Sequence, residues 1–273
     1  GIERLLDHAL LLRTRGGRLE PTFAVREYLL GKDGDPGVVD QARERLHGWY
    51  VSLGSGDVLH PDPPERLPLL RAELPGAVAA IDHAIDHGDR ALACHLVAWV
   101  GAALERIGAR YRAYQVALRT ANAFPQDYRP ACVAFRALPA DDLATVRGLY
   151  TRAMGCLDAV RQPIHVARLM GELAGANANL GAVDESHLQA CLALLDTPDL
   201  HPVGRISLLR GLGWTAFRRG RASEAWGYTQ QAMALARTKG RVWDVKPIAE
   251  ELAGMALAEG RHAEAESFLA AVD

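Results

Sequence analysis

Lysine, aromatic residues and net charge are all scarce in this 273-residue sequence. It has three lysines, 6% of its residues are Phe, Trp or Tyr, and its formal net charge is −2. A near-neutral chain lacks the charge excess of a dedicated nucleic-acid or membrane-surface binder. No run of about 18 apolar residues predicts a membrane span, and Arg4, Asp7 and His8 interrupt the start where a signal peptide is apolar. We therefore expect a cytoplasmic protein.

The motifs of catalysis and metal binding are also missing. The four cysteines, Cys94, Cys132, Cys156 and Cys191, lie far apart and form no CxxC pair, so we expect reduced thiols. The sequence contains no GxxxxGK[ST], HExxH or GxSxG motif. It thus predicts a non-enzymatic chain with no catalytic residue, no metal site and no cofactor.

Alanine is what the sequence has in abundance, with 46 residues within a hydrophobic content of 49%. Alanine has the highest helix propensity and loses no rotamer entropy in a helix. From Glu65 onward, helical patterns alternate with Gly or Pro breaks and no strand pattern is found. The composition and the pattern together predict an all-α fold.

A unit of one small-residue helix, a glycine turn and a second helix recurs along the chain. Its turns fall at Gly181, Gly220 and Gly260, which are 39 and 40 residues apart. A further copy turns at Gly108, and the interval leaves room for one degenerate unit at about Val133 to Leu157. Such a period with two helices per unit is typical of an α-solenoid. The sequence predicts tetratricopeptide-like helical hairpins, and a generic helical bundle with alanine-rich seams is the alternative.

Small residues indicate where helices approach each other within these units. Gly213 and Ala216 in one first helix match Ala253 and Ala256 in the next. Residues three apart share a helix face. We expect these positions to lie at helix contacts.

The segment before the repeats predicts a module of its own. A short β-hairpin is expected around residues 15–18, followed by a helix from about Val38 to Leu53. That helix has a candidate buried stripe of Ala42, Leu46, Trp49 and Tyr50. The Gly and Pro residues of 54–64 predict a linker.

Two domains follow from this pattern, residues 1–55 and residues 65–273. The chain opens on Gly1 and stops at Asp273 inside a helical pattern. We therefore expect it to be a piece of a longer protein.

The first stretch, LLDHALLLRTRGGRLEPTFAVREYLLG and then ARERLHGWYVSLG, resembles the end of a winged-helix module in large bacterial signal-transduction NTPases. Val25-Arg26-Glu27-Tyr28 and Trp49-Tyr50 stand at that family's helix motif and buried aromatic pair. The stretches LPLLRAELPGAVAAIDHAIDHGDRALACHLVAWVGAALERIGA and ELAGMALAEGRHAEAESFLAAVD are similar to its helix pairs. The family is the STAND class of predicted ATPases, with LuxR-type and antibiotic-regulatory transcriptional activators.

This resemblance implies a winged-helix remnant with a short β-hairpin, followed by a tetratricopeptide-repeat region. It implies that the NTPase core lies upstream in the same chain, so no nucleotide site is expected in these residues. It also implies a part in bacterial signal transduction and transcription regulation.

Two histidine patterns offer chemical alternatives. His83 and His87 lie one helical turn apart, as two zinc ligands can, but a solvated helix end capped by Gly88 explains them as well. Cys94-His95 offers a thiol beside a base, yet adjacent helical residues point about 100° apart. A core role for Cys94 is the expectation.

Arg13, Arg15 and Arg18 cluster at the predicted wing and offer a DNA-binding alternative. The recognition helix that precedes a wing in DNA readers is missing or truncated here. A hinge or docking module is the preferred interpretation, and nucleic acid is an unlikely partner for this chain.

Residues 201–240 hold seven basic residues against one acid, a local charge of +6. Arginine beside aromatic residues is typical of binding hot spots, and tetratricopeptide arrays commonly bind ligands on the concave face formed by their first helices. We expect that face to bind a peptide, a protein or a small effector. The predicted binding residues are Arg168, Asn179, Ser207, Arg210, Trp214, Phe217, Arg218 and Glu250, with His95 and Arg106 nearby. The alternative is a solvated arginine face with Trp214 in the inter-repeat core.

Overall fold

Helices dominate the computed structural model of the chain, and the prediction of an all-helical fold is confirmed. The structure describes residues 11–13, 19–21, 36–58, 64–138, 143–157, 162–239 and 242–270. These residues form one short strand pair, a 3₁₀ turn at Pro64–Arg66 and twelve α-helices. The helices are α1 (Pro36–Leu53), α2 (Leu67–Asp86), α3 (Arg90–Arg106), α4 (Arg110–Ala123), α5 (Tyr128–Ala137), α6 (Leu143–Cys156), α7 (Pro163–Asn179), α8 (Glu185–Leu195), α9 (Pro202–Arg218), α10 (Ala222–Thr238), α11 (Val242–Ala258) and α12 (His262–Ala270).

The chain divides into two compact units, residues 1–50 and 51–273. In the first unit, β1 (Leu11–Arg13) pairs antiparallel with β2 (Leu19–Pro21). The helices expected directly before and after this strand pair lie outside the described residues, so the winged-helix module stays a prediction.

The predicted buried stripe of α1 is wrong at two positions. Tyr50 is buried at 3% exposure, but Leu46 is 47% and Trp49 is 48% exposed. Leu46 lies four residues before Tyr50 and Trp49 lies next to it, so the pattern alone did not fix which side of α1 packs. The side chain of Ala42 lies outside the described residues.

Five interhelical turns share one backbone geometry. In the turn between α9 and α10, the Gly220 N–H donates to the Phe217 carbonyl at 2.9 Å and the Arg221 N–H donates to the Ala216 carbonyl at 2.9 Å. These two bonds define a Schellman motif, and its glycine has φ 74°, a value that costs other residues energy. The glycines with this conformation are Gly88, Gly108, Gly181, Gly220 and Gly260. The predicted turns at Gly108, Gly181, Gly220 and Gly260 are therefore confirmed.

Each helix of the second unit packs mainly on helices one or two places away along the chain. This nearest-neighbour pattern is the one expected of helical repeats. The region predicted to hold a degenerate unit contains α5 and α6, whose 10 and 14 residues fall short of the 17 of α7 and α9. None of the helices in the described ranges is both long and apolar enough to cross a membrane.

The predicted small-residue contacts are confirmed. Ala216, Ala253 and Ala256 are at most 6% exposed. A Cβ added at Gly213 would lie 2.5 Å from Thr229 Oγ1 of α10. Small residues thus let the two helices of a hairpin approach closely.

One repeat position sets the spacing between α7, α9 and α11, the first helices of three successive hairpins. A Cβ at Gly211 in α9 would lie 2.1 Å from the Gly171 carbonyl oxygen in α7, so these two helices touch backbone to backbone. Forty residues further on, the same position is Glu251 in α11. There the helices contact each other far less, and Glu251 pairs with Arg210 of α9 across the interval.

Candidate functional site

The first helices of the hairpins, α3, α5, α7, α9 and α11, carry a row of ion pairs. We call the surface along this row the first-helix face. Its pairs are Arg136–Glu105 at 2.9 Å, Arg168–Glu172 at 2.9 Å and Arg210–Glu251 at 2.5 Å. All six side chains are between 16% and 29% exposed. Three arginines and three glutamates leave the row with no net charge.

The pairs are electrostatically coupled to one another. Burial works against the charge of Arg136, but Glu105 and Glu172 outweigh it and raise the pKa of this guanidinium above its ordinary value. Burial also opposes the charge of Arg210 on α9, but Glu251 and Glu172 help to raise the pKa of its guanidinium above the ordinary value. Pairing is what allows such charges to be half-buried. The arginines are therefore fixed in place and keep their remaining N–H groups for other acceptors.

A non-helical stretch of the chain, segment 54–58, lies on this face. The carbonyl of Val58 accepts hydrogen bonds from Arg136 Nη1 at 3.0 Å and from Arg168 Nη1 at 3.1 Å. The carbonyl of Gly54 accepts one from His95 Nε2 at 3.2 Å, and the Val51 carbonyl accepts from the same nitrogen at 3.0 Å. Two carbonyl acceptors require the proton on Nε2 of His95.

The predicted linker is therefore wrong for these five residues. Gly54 and Val58 are buried, and segment 54–58 contacts α3, α5 and α7. Glycine and proline content predicts a lack of regular structure. It does not predict whether an irregular stretch runs through solvent or packs against a helix.

The structure places two of the predicted binding residues, Arg168 and Arg210, in the charged row. Two others meet further along the face, where Trp214 Nε1 donates to Asn179 Oδ1 at 2.5 Å. The Trp214 and Phe217 rings lie 5.4 Å apart between centroids, and both are half-buried. These aromatic rings pack partly on the core between α9, α10 and α11.

The remaining predicted residues lie at the edges of this arrangement. The backbone of Ser207 is in contact with Gly171 at the α7–α9 crossing. Arg218 and Glu250 are exposed, and Arg218 forms no ion pair with any described residue. Arg106 is half-buried at the end of α3.

Sequence reasoning missed the four partners Glu105, Arg136, Glu172 and Glu251. A signal existed for Glu172, because it follows Arg168 by one helical turn. Glu251 is adjacent to the predicted Glu250, so the error there is one residue of helical register. Arg136 and Glu105 are 31 residues apart, off the repeat period, and nothing in the sequence pairs them.

The basic stretch of residues 201–240 is compensated in part by acidic partners in space. Arg210 pairs with Glu251, Arg219 with Glu185, and Arg221 with Glu224 at 3.6 Å. Arg205 donates to the Thr197 carbonyl at 2.8 Å. Four basic residues of this stretch form no ion pair within the described ranges: Arg205, Arg218, Arg237 and Lys239. A free patch of charge +6 is thus not what the fold presents.

Cys94 is fully buried, and burial raises the pKa of its thiol to about 12. This protonated thiol is a poor nucleophile. The His83 and His87 ring centroids lie 3.8 Å apart with the rings tilted by 41°, and His87 Nδ1 lies 2.8 Å from the His83 carbonyl oxygen. No cluster of three metal-ligating side chains is found in the part of the chain that the structure describes.

For the DNA-binding alternative, Arg15, Arg18 and the side chain of Arg13 lie outside the described residues.

Neither the protein-family models nor the curated proteins match this chain. The class that the fold itself defines is an all-helical, repeat-like protein whose first-helix face binds a stretch of its own backbone.

Proposed function

We propose that this chain is a non-catalytic helical-repeat module that binds a peptide or protein on its first-helix face. The observation that carries the proposal is the Val58 carbonyl held by Arg136 and Arg168. A face that holds polypeptide by its backbone has the chemistry to bind a partner in the same way.

The physical basis is preorganisation. Arg136 and Arg168 are fixed by their glutamates, so binding a carbonyl costs little further side-chain entropy. Hydrogen bonds from charged donors are stronger than neutral ones. Backbone contacts give affinity, and neighbouring side chains then select the sequence.

The distal part of the face supplies candidate selectivity. Trp214 and Phe217 offer half-buried aromatic surface, and Asn179 offers an amide. Arg218 offers an exposed guanidinium that pairs with no acid in the described part of the chain. Tryptophan and arginine dominate binding hot spots because they combine large contact area with directional hydrogen bonds. We therefore assign the predicted residues of this region to partner recognition.

We further propose that the hairpins are tetratricopeptide-like and belong to a cytoplasmic bacterial regulator of the STAND type. Binding at the face is then relayed through residues 1–55 to an NTPase core upstream in the same chain. Such a relay requires the partner to bind the active and inactive arrangements with different affinity. No cofactor takes part in this proposal.

Selection of linear peptides from a random phage-displayed library tests the function. We expect peptides that share a motif, bind the intact chain in fluorescence anisotropy, and lose at least tenfold in affinity with the Trp214→Ala or Arg218→Ala variant. Arg237→Ala, on the second helix α10, is the matched control because it also removes an exposed charge. Absence of any binding peptide, or equal loss in the control, contradicts the proposed function.

A further inference from the structure

Segment 54–58 is joined to the first-helix face by contacts that only a few sequences can make. A Cβ added at Gly54 would lie 2.4 Å from Trp99 Cγ, and a Cβ added at Gly56 would lie 2.2 Å from His95 Nδ1. Trp99 is 1% exposed and has no room to yield. Real Cβ contacts stay beyond about 3 Å. A larger residue at Gly54 therefore requires buried Trp99 to move, and one at Gly56 requires the His95 ring to move, so both positions favour glycine.

The far end of the segment has an apolar anchor. Val58 is 5% exposed and forms one wall of a small cleft, partly open to solvent, that also includes Cys132 and Leu169. Burial of an aliphatic side chain is favourable in proportion to the apolar area that it removes from water. These contacts select glycine at positions 54 and 56 and an aliphatic residue at position 58, and within the segment the Asp57 N–H donates to Ser55 Oγ at 3.1 Å.

The charges around the Val58 carbonyl indicate which carbonyl is accepted. Arg136 and Arg168 each carry a glutamate partner, so the site is neutral before a ligand binds. Glu105 Oε1 and Glu172 Oε2 are buried and have no hydrogen-bond partner among the described residues. A neutral amide carbonyl leaves the site neutral, whereas a terminal carboxylate would leave one uncompensated negative charge in a half-buried site, which is costly.

We propose that segment 54–58 is an internal ligand in a peptide site, and that a partner stretch of the form Gly-x-Gly-x-aliphatic, inside a chain rather than at its C terminus, displaces it. This inference rests on the proposed function, because it names the ligand of the α3, α5 and α7 part of the same face. The site is then closed to weak competitors, since the tethered segment has an effective concentration in the millimolar range. A partner displaces the segment only if it binds the face more strongly than the tethered segment does.

A labelled peptide with the sequence of residues 53–58, fluorescein-LGSGDV-amide, tests the inference by anisotropy on the intact 273-residue chain. In the Gly54→Ala variant the segment cannot return to the face, so we expect the peptide to bind at least tenfold more tightly than to the unmodified chain. Gly227→Ala is the matched control, because its Cβ meets nothing within 4 Å, and it should bind as weakly as the unmodified chain. Adding Arg168→Gln to Gly54→Ala should lower the affinity about tenfold, since one charged donor is lost.

The same peptide with a free C-terminal carboxylate separates the two ligand chemistries. We expect weaker binding than for the amide, and tighter binding overturns the assignment of an internal carbonyl. Equal affinity of the amide for the Gly54→Ala variant, the Gly227→Ala variant and the unmodified chain overturns the internal-ligand proposal.

A measurement on the unmodified chain covers the case in which Gly54→Ala does not fold, as judged by circular dichroism. In methyl NMR, excess LGSGDV-amide should change the chemical shifts of the Val58 methyl groups to values typical of solvent-exposed valine. Unchanged chemical shifts contradict displacement. If library peptides bind the face while LGSGDV-amide fails in both assays, the inference is wrong and the proposed function stands. If neither binds, both are wrong.

Discussion

The α7–α9 crossing makes the sharpest stability prediction, through the substitution Gly171→Ala. A Cβ at this position would lie 2.1 Å from the Ser207 carbonyl oxygen and 2.3 Å from its carbonyl carbon. Both atoms belong to the backbone of α9, so no side-chain rotation relieves the contact. Ordinary van der Waals contact begins at 3.4 Å, and the helices must therefore separate locally by about 1.3 Å.

The expected cost follows from two opposing terms. Overpacking of a tight contact costs about 1–3 kcal/mol, and backbone obstruction places this case near the upper end. Replacing glycine by alanine within a helix contributes about 0.5–1 kcal/mol of stability. The net loss should be about 2 kcal/mol, which corresponds to a fall in Tm of about 4–8 °C for a chain of this size.

Urea denaturation followed by circular dichroism at 222 nm measures the difference. Gly175→Ala is the matched control, because it lies one turn away in α7 and its Cβ meets nothing within 4 Å. We expect the control to be as stable as the unmodified chain or more so. Equal stability of the Gly171→Ala and Gly175→Ala variants refutes the backbone-to-backbone crossing.

Three further predictions concern the ion pair, the turns and the thiols. Arg210→Gln should lower the free energy of unfolding by about 1–2 kcal/mol, because it leaves half-buried Glu251 without its partner, and a double-mutant cycle with Glu251→Gln should show coupling between the two sites. Gly220→Ala should cost about 1–2 kcal/mol in the same urea assay, because its φ of 74° is unfavourable for alanine, whereas an effect no larger than that of Gly227→Ala contradicts the turn geometry. At pH 8 Cys156 should be the fastest of the four thiols to react with a disulfide reagent, because it is the least buried. Burial raises the pKa of Cys94 and Cys191 to about 12 and so lowers their thiolate fraction. Persistence of the fast phase in Cys156→Ser contradicts this assignment.

Much of the fold was predictable, because turn chemistry and small-residue spacing are local signals. A glycine at positive φ ends a helix for reasons contained in a few residues, and Gly181, Gly220 and Gly260 therefore marked the repeats correctly. The orientation of α1 was not predictable from its stripe. Leu46 and Trp49 are apolar but exposed, because the apolar pattern allows more than one buried helix face and tertiary packing determines which face is buried.

The candidate site was predictable only in part, for a related reason. Arg168 and Arg210 were found because charge and helical register are visible in one sequence. Glu105 and Arg136 meet across two helices with no common period, and this contact depends on how the degenerate unit of α5 and α6 packs. The position of segment 54–58 depends on the finished surface of three helices, which no local pattern contains.

Hydroxyl-radical footprinting of the chain bound to a library-selected peptide shows which helices the partner covers. We expect Trp214 and Phe217, on the first helix α9, to become protected when the peptide binds. Tyr111, which is 63% exposed on the second helix α4, should be labelled to the same extent with and without peptide. Protection of Tyr111 with unchanged labelling of Trp214 and Phe217 would place the partner on the other side of the hairpins and contradict the account.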